Sequence, residues 1–416
     1  MSKPVTPTRK KYTILKQICE LIPPYLIPRL ARDHKIVFRN FSPLSHVVAM
    51  LHAHLTNAIG LNDICDGLRN HHGSLSLIRG ASAPSRNGLS HANKTRSSDM
   101  AKDLFWEMLE HLQSIQPGFG GKRYNGFPRR FKRSIQIVDS TTIALVANCI
   151  DWAKHRRRKA AAKMHMRLDL KRFLPSFAIV DTAKHNDAKR ARELCADLKD
   201  GEIVIFDKAY IDYTHLYDLK IRGIFWVTRA KDNMDVRCVK RLIKKPKGNI
   251  LRDDIVVLKG KPSLKKYPET FRRVVALIEV NGKLVEMTFI SNNVEWSPDS
   301  ICDLYKCRWS IEAFFKQIKQ TLQLSTFLGH SRNAIQWQVW TALLAYVLLR
   351  FLAFISQWDH SFKRLFTVIR GVLWDKFNIL SLLKSYGIAG RQVRMVFTSN
   401  QMYLPGFTDM NGIAHG

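Results

Sequence analysis

Apolar residues recur at helical spacing along the first 115 or so residues and predict three helices there: Ser42 to Leu55, Leu61 to Asn70, and Ser98 to Ile115, whose Phe105, Met108, Leu109 and Leu112 form one stripe. Ser42 before Pro43 is a start signal, because the serine can cap while the proline suits the first helical position. From Ser134 the period changes. Ser134 to Val138, Ser176 to Val180 and Glu202 to Phe206 are short β-branched runs that read as strands, the first ending at Asp139 and the third at Asp207. A helix from Asp187 to Leu198, with Ala191, Leu194 and Leu198 inward, fits between the last two, and strands joined through a helix imply a mixed α/β sheet. Three more strand-like runs come next, Asp254 to Leu258, Arg273 to Val280 and Lys283 to Ile290, the last two joined by the hairpin dipeptide Asn281-Gly282. Helix returns near Ser300 and dominates up to a loop-rich tail after Gly387. Val339 to Leu349, the most apolar stretch, is closed by Arg350 and preceded by Gln336 and Gln338, so it reads as a buried helix and not as a membrane span.

A chain of 416 residues exceeds one ordinary core and is expected to divide. The pattern suggests helices over 1–120, an α/β domain in two parts over 130–232 and 300–370, a β-strand insertion over 233–299 between them, and a tail over 371–416. Gly118-Phe-Gly-Gly-Lys122 is read as a linker, since a phosphate loop would need Ser or Thr after the lysine and a strand before the glycines.

Charge changes the picture next. With 67 Lys and Arg against 34 Asp and Glu the chain carries +33, an excess that opposes compaction and fits an extended polyanion on the surface. Six basic residues fall within Lys122 to Arg133, five within Lys154-His-Arg156-Arg157-Arg158-Lys159, and 13 between Arg237 and Arg273, where only Asp253, Asp254 and Glu269 oppose them. Pro84 to Arg96 carries Arg86, Lys94 and Arg96 and reads either as the recognition segment of a helix-turn-helix-like module or as a polar loop and cap. The N-terminus lacks the apolar run of a secretory signal, and seven scattered cysteines without a C-x-x-C pair suit a reducing interior, so a cytoplasmic protein is expected.

The chemistry converges near residue 310. Tyr305, Arg308, Glu312 and Lys319 are offset so that on one helix they project within an arc of about 60°, while Ile311, Phe314, Phe315, Ile318 and Leu322 form the neighbouring apolar stripe. By itself that face could be solvated and carry Arg308–Glu312 and Glu312–Lys316 ion pairs. If the strands ending at Asp139 and Asp207 are neighbours, both carboxylates emerge at one sheet edge, where α/β ligand sites form, and Glu312 on a helix over that edge completes an oxygen-rich cluster suited to Mg²⁺. Taken singly, each aspartate is more simply a turn or cap residue.

The stretch Tyr305-Lys-Cys-Arg308-Trp-Ser-Ile-Glu312-Ala-Phe-Phe-Lys-Gln-Ile-Lys319 matches Y-x2-R-x3-E-x6-K throughout, and it resembles the signature of one branch of the bacterial insertion-sequence transposases of the DDE class. Val138-Asp139-Ser-Thr-Thr142 and Phe206-Asp207-Lys-Ala-Tyr210 are similar to that family's first and second aspartate motifs, with Ala209 standing where a glycine is common. The resemblance covers roughly residues 35 to 355. It implies an RNase H-like catalytic core with a β-strand insertion, Asp139, Asp207 and Glu312 as catalytic ligands of two Mg²⁺ or Mn²⁺, and Tyr305, Arg308 and Lys319 as contacts to double-stranded DNA near the transposon end. It also implies a homodimer bridging two terminal inverted repeats, hydrolysis that frees a 3′-OH, a hairpin intermediate, and joining to target DNA. Lys244, Lys245, Lys265 and Lys266 in the basic insertion, Arg156, Arg157 and Arg158, and Arg86, Lys94 and Arg96 are further candidates for DNA contact. Phe271 and Trp296 could stack on a flipped base or pack in the core. Two other functions share the motifs: a regulatory protein that occupies ends without cutting, and an RNase H-like nuclease without strand transfer.

Overall fold

The computed structural model describes residues 7–120, 131–145, 154–155, 159–182, 187–280, 282–322 and 328–386. Seven helices come first: α1 (Ile14–Cys19), α2 (Leu26–Asp33), α3 (Pro43–Thr56), α4 (Leu61–Asn70), α5 (His72–Ser76), α6 (Arg86–Thr95) and α7 (Asp99–Ile115). The three helices predicted by periodicity lie within a residue of their expected bounds, and the Ser42 hydroxyl accepts from the Ser45 amide at 3.0 Å as the cap of α3. The polar segment after Pro84 is itself the helix α6, capped by Ser85 on the Gly88 amide.

Ten strands among the described residues make one sheet. They are β1 (Ile135–Leu145), β2 (Lys154–His155), β3 (Lys159–Asp169), β4 (Leu174–Thr182), β5 (Ile203–Phe206), β6 (Phe225–Arg229), β7 (Val236–Arg241), β8 (Ile250–Leu258), β9 (Phe271–Val280) and β10 (Lys283–Ser291). Strands β1, β3 and β4 run antiparallel in turn, whereas β5 lies parallel to β1 and β6 parallel to β5. This is the strand plan of an RNase H-like core. Helices α8 (Asp187–Leu194) and α9 (Tyr213–Ile221) provide the connections that parallel strands require.

Two strand expectations need correction. β1 does not end at Asp139 but continues to Leu145, because the hairpin to β3 holds it through ten register pairs from Gln136↔Asp169 to Leu145↔Ala160. β3 itself was not expected, since its alanine-rich start lacks β-branched residues, yet it is held between β1 and β4 with Met164, Met166 and Leu168 fully buried.

The basic insertion extends the same sheet, because β10 pairs antiparallel with β6 and is succeeded outward by β9, β8 and β7. The three acids between Arg237 and Arg273 are each engaged by a cation. Arg272 makes a two-pronged contact to Asp253 at 2.7 Å with both side chains buried, Arg273 holds Asp254, and Lys220 of α9 holds Glu269. Lys244, Lys245, Lys265 and Lys266 remain on the outer face, the last two on the short helix α10 (Lys261–Lys266).

The helix expected from Ser300 is two helices, α11 (Pro298–Lys306) and α12 (Trp309–Thr321). Between them the amides of Cys307, Arg308, Ser310 and Ile311 bond three residues back, to Leu304, Tyr305, Cys307 and Arg308, and so the turn tightens. α13 (Arg332–Ile355), α14 (Phe362–Gly371) and α15 (Ile379–Ser385) complete the described chain. α13 is long and apolar enough to cross a membrane, but 83% of its most apolar window is buried inside the molecule. It receives the N-terminal helices: the Trp337 indole donates to the Arg96 carbonyl, Asn333 accepts from the Ser98 amide, and His54 meets Thr341 at 3.0 Å. Residues 371–386, expected as tail, pack back on the N-terminus, where the Lys10 amide donates to Lys376 and the Gln17 amide group to Phe377.

Candidate active site

The parallel ladder between β1 and β5 runs from Ile135↔Ile203 to Val138↔Phe206, so Asp139 and Asp207 are the next residues on neighbouring strands. The four residues of β5 are buried, and Asp207 emerges where that strand gives way to a single 3₁₀ turn, Lys208–Tyr210. α12 packs over this edge through Ile311, Phe314 and Ile318, all fully buried. Asp139, Asp207 and Glu312, from three separate elements, thereby line one cavity of about 580 Å³ with Arg308, Lys316 and Lys319.

Each group is held by a definite partner. Arg308 Nη1 donates to Asp139 Oδ2 at 2.8 Å and forms an ion pair with Glu312 Oε1 at the same distance. The Tyr305 hydroxyl donates to Asp207 Oδ1 at 3.1 Å, its ring packed 5.0 Å from that of Phe289. Lys319 Nζ donates to the Thr142 carbonyl of β1 at 2.6 Å. The aligned face read from the sequence survives the break between α11 and α12, because the tightened turn keeps Tyr305 and Arg308 directed at the two aspartates.

Burial pushes the Asp139 carboxyl up to about 6, and Asp207 and Glu312 add to the rise while Arg308 and the Ser140 amide oppose it. Burial likewise raises the Tyr305 phenol, which stays protonated as a donor, and lowers the Lys319 ammonium. Burial works against the charge of Arg308, but Tyr305, Asp139, Glu312 and Asp207 together hold its guanidinium above the usual range. Glu312, half exposed in the first turn of α12, is favoured there by the positive end of the helix.

The donor set suits a divalent cation: three carboxylates, one forced toward its neutral form by burial and by its acidic neighbours, and oxygens that a hard cation prefers. Among the described residues no three acidic, His or Cys side chains are gathered as a ready metal cage. Arg308 stands between two of the three carboxylates.

The remaining candidates divide among surface, core and undescribed chain. Arg86 and Lys94 are exposed on α6. Arg96 is a correction: it is buried, its guanidinium donates to the Phe41 and Ser42 carbonyls and lies over the Phe41 ring, and it fastens the start of α3. Arg156, Arg157 and Arg158 lie outside the described residues. Phe271 is buried against Trp226 and Tyr267, and Trp296 packs on Phe131 and Phe225, so both rings belong to the core. Lys316 is a member of the site that spacing does not single out. Its offset of four from Glu312 suggests a surface ion pair, whereas in the structure Glu312 is turned to Arg308 and Lys316 lines the cavity.

The family model described as "Transposase DDE domain" matches residues 130–348, and one described as "Domain of unknown function (DUF4372)" matches residues 10–78. The chain is 31% identical over 257 residues to a protein named as a transposase in Sinorhizobium fredii, covering 61% of this chain and 70% of that one. It is 27% identical over 281 residues to one named for insertion sequence element IS5377 of Geobacillus stearothermophilus, covering 67% and 72%. To the transposase for insertion sequence element IS4 of Escherichia coli it is 27% identical over 198 residues, covering 45% and 43%. In shape it is loosely similar to the piggyBac transposase of a synaptic complex with hairpin DNA, with a TM-score of 0.41 and 10% identity over 90% of this chain and 80% of that one. The match over more than half of its length places the chain in the DDE transposase family, and its relatives place it among the bacterial insertion-sequence transposases of the IS4 type. Its activity is that of a DNA transposase, an enzyme that cuts DNA and transfers a strand, and its substrate is DNA.

Proposed function

We propose that Asp139, Asp207 and Glu312 are the catalytic carboxylates of this transposase and that they hold two Mg²⁺, replaceable by Mn²⁺, at the ends of an insertion sequence. The observation that carries this reading is the meeting of three carboxylates from β1, the end of β5 and α12 in one cavity rimmed by cations. DDE transposases work with divalent metal. What the ions supply when bound is activation of the attacking oxygen and charge stabilisation of the leaving one. The chain's own groups do the rest. Tyr305 holds Asp207 in place, while Arg308, Lys316 and Lys319 bind phosphates beside the scissile bond and align it. Phe315, itself buried, adds an apolar surface to the cavity wall.

On this reading water attacks first at the transposon end and frees a 3′-OH, which attacks the opposite strand to close a hairpin; the reopened end then joins target DNA. The helices of 1–120 and the exposed lysines of the insertion grip the double-stranded DNA, and two copies of the chain bridge the two terminal inverted repeats. The work is done in the bacterial cytoplasm, where the chromosome lies.

The test is single replacement: Asp139→Asn, Asp207→Asn and Glu312→Gln, each assayed for Mg²⁺-dependent nicking of a labelled terminus beside gel-shift affinity. Cutting should fall at least about 10³-fold while binding, spread over many phosphates, changes little. A variant that still cuts removes its residue from the catalytic set.

A further inference from the structure

Arg308 is the cation inside the carboxylate cluster, and a single nitrogen, Nη1, serves Asp139 and Glu312 at once. Those two carboxylate oxygens are therefore no farther apart than twice 2.8 Å, close to what two ligands of one small cation require once drawn in. Arg308 Nε is buried and has no acceptor among the described residues, which leaves a guanidinium with one donor unsatisfied in its present seat. The backbone beneath it is the tightened turn that joins α11 to α12, where the amides of Arg308, Ser310 and Ile311 bond three residues back and the Cys307 amide is shared between Asp303 and Leu304.

We infer that Arg308 is an exchangeable counter-ion: it occupies the carboxylates while no metal is bound, and loading of a divalent cation moves it onto a DNA phosphate. The inference rests on the carboxylate reading above and adds a coupling to it. Without metal, the acids cannot share a poorly solvated site unneutralised, and the guanidinium neutralises them. A divalent ion competes for the same oxygens with twice the charge. Arginine cannot leave by losing its proton, so it must move. A phosphate accepts its planar fork through two nitrogens, and contact through Nε satisfies the donor now left without a partner. Metal and DNA then each favour the released position of Arg308, so each raises the affinity for the other by the same factor.

The experiment counts Mn²⁺ bound to the full-length, DNA-free protein by electron paramagnetic resonance, in wild type and in Arg308→Gln, Arg308→Met, Arg308→Lys, Asp139→Asn and Glu312→Gln, with a melting curve for each. Removing the competing charge should make Arg308→Gln and Arg308→Met bind Mn²⁺ at least about fivefold more tightly, and Arg308→Lys should stay near wild type. A duplex carrying the element's end should tighten Mn²⁺ binding in wild type, and that gain should shrink in the Gln and Met variants. Equal or weaker Mn²⁺ binding in folded Arg308→Gln and Arg308→Met would overturn the exchange and make Arg308 a scaffold for the carboxylates. Unchanged binding in Asp139→Asn and Glu312→Gln would instead overturn the carboxylate reading itself, and the exchange with it.

Discussion

Lys316 and Lys319 stand one turn apart on α12 and both line the cavity, yet they are committed differently. Lys319 is half-buried and donates to the Thr142 carbonyl, whereas Lys316 is exposed and makes no ion pair or hydrogen bond among the described residues. Lys316→Ala should therefore cost no more than about 0.5 kcal/mol of stability, and Lys319→Ala about 1 kcal/mol, while both reduce excision. Thermal melting beside an excision assay decides it; full excision by Lys316→Ala would return that residue to the solvated face. Residues of this kind are only half legible in the sequence. Tyr305, Arg308, Glu312 and Lys319 can be grouped because helical spacing alone aligns them. Arg96 cannot be separated from Arg86 and Lys94, because all three sit in one polar segment and only packing turns Arg96 inward onto the Phe41 and Ser42 carbonyls.

At the scale of elements, the insertion is joined to the site through a buried pair. Arg272 of β9 contacts Asp253 of β8 and also donates to the Val294 and Trp296 carbonyls, which lie just before α11, the helix that carries Tyr305. Arg272→Ala leaves a buried carboxylate without its partner and should destabilise by about 3–5 kcal/mol, whereas the double change Arg272→Met with Asp253→Leu should recover most of that loss. Denaturant unfolding of the three proteins tests it, and a loss below about 1 kcal/mol in Arg272→Ala would mean that water reaches the pair. The hairpin β9–β10 is legible because Asn-Gly sets a two-residue turn, and Gly282 takes the left-handed φ of +74° that such a turn requires. β3 is not, although Lys163, His165 and Arg167 alternate with Met164, Met166 and Leu168, because it holds none of the β-branched or aromatic residues that mark a strand. The break between α11 and α12 is hidden for a related reason: no Pro or Gly marks it, and the apolar stripe continues across it.

Over the whole molecule, buried histidines set the response to acid. Burial pushes His46 down to about 3 and His52, His54 and His215 to about 4, each from an ordinary value near 6.5. Below pH 6.5 the unfolded chain takes up protons that the folded chain refuses. Their contribution to stability is therefore complete above that pH and is lost as pH falls from 6.5 toward 4, at up to about 1.4 kcal/mol per pH unit for each histidine. Melting temperature should fall steeply between pH 6.5 and 5 at constant ionic strength, and His54→Gln should flatten the slope. A flat profile in wild type would mean that these rings are charged in the folded protein. His54 is the informative member, since it bonds the Leu322 carbonyl behind α12 and Thr341 of α13, tying the N-terminal helices to the layer that carries Glu312.

Local pattern was enough to determine three of the seven helices described in the first 115 residues, the α/β character of the chain beyond them, the basic surface and the four residues aligned around Glu312, because each depends on spacing or composition that a linear chain already holds. Tertiary structure alone decided that β1 lies parallel to β5, which brings Asp139 beside Asp207, and that α13 is shared by the N-terminal helices. It also decided that the guanidinium of Arg308 stands among the carboxylates. Those outcomes depend on contacts between residues 68 to 241 positions apart, and the chain can select them only by burying surfaces that no local segment presents alone.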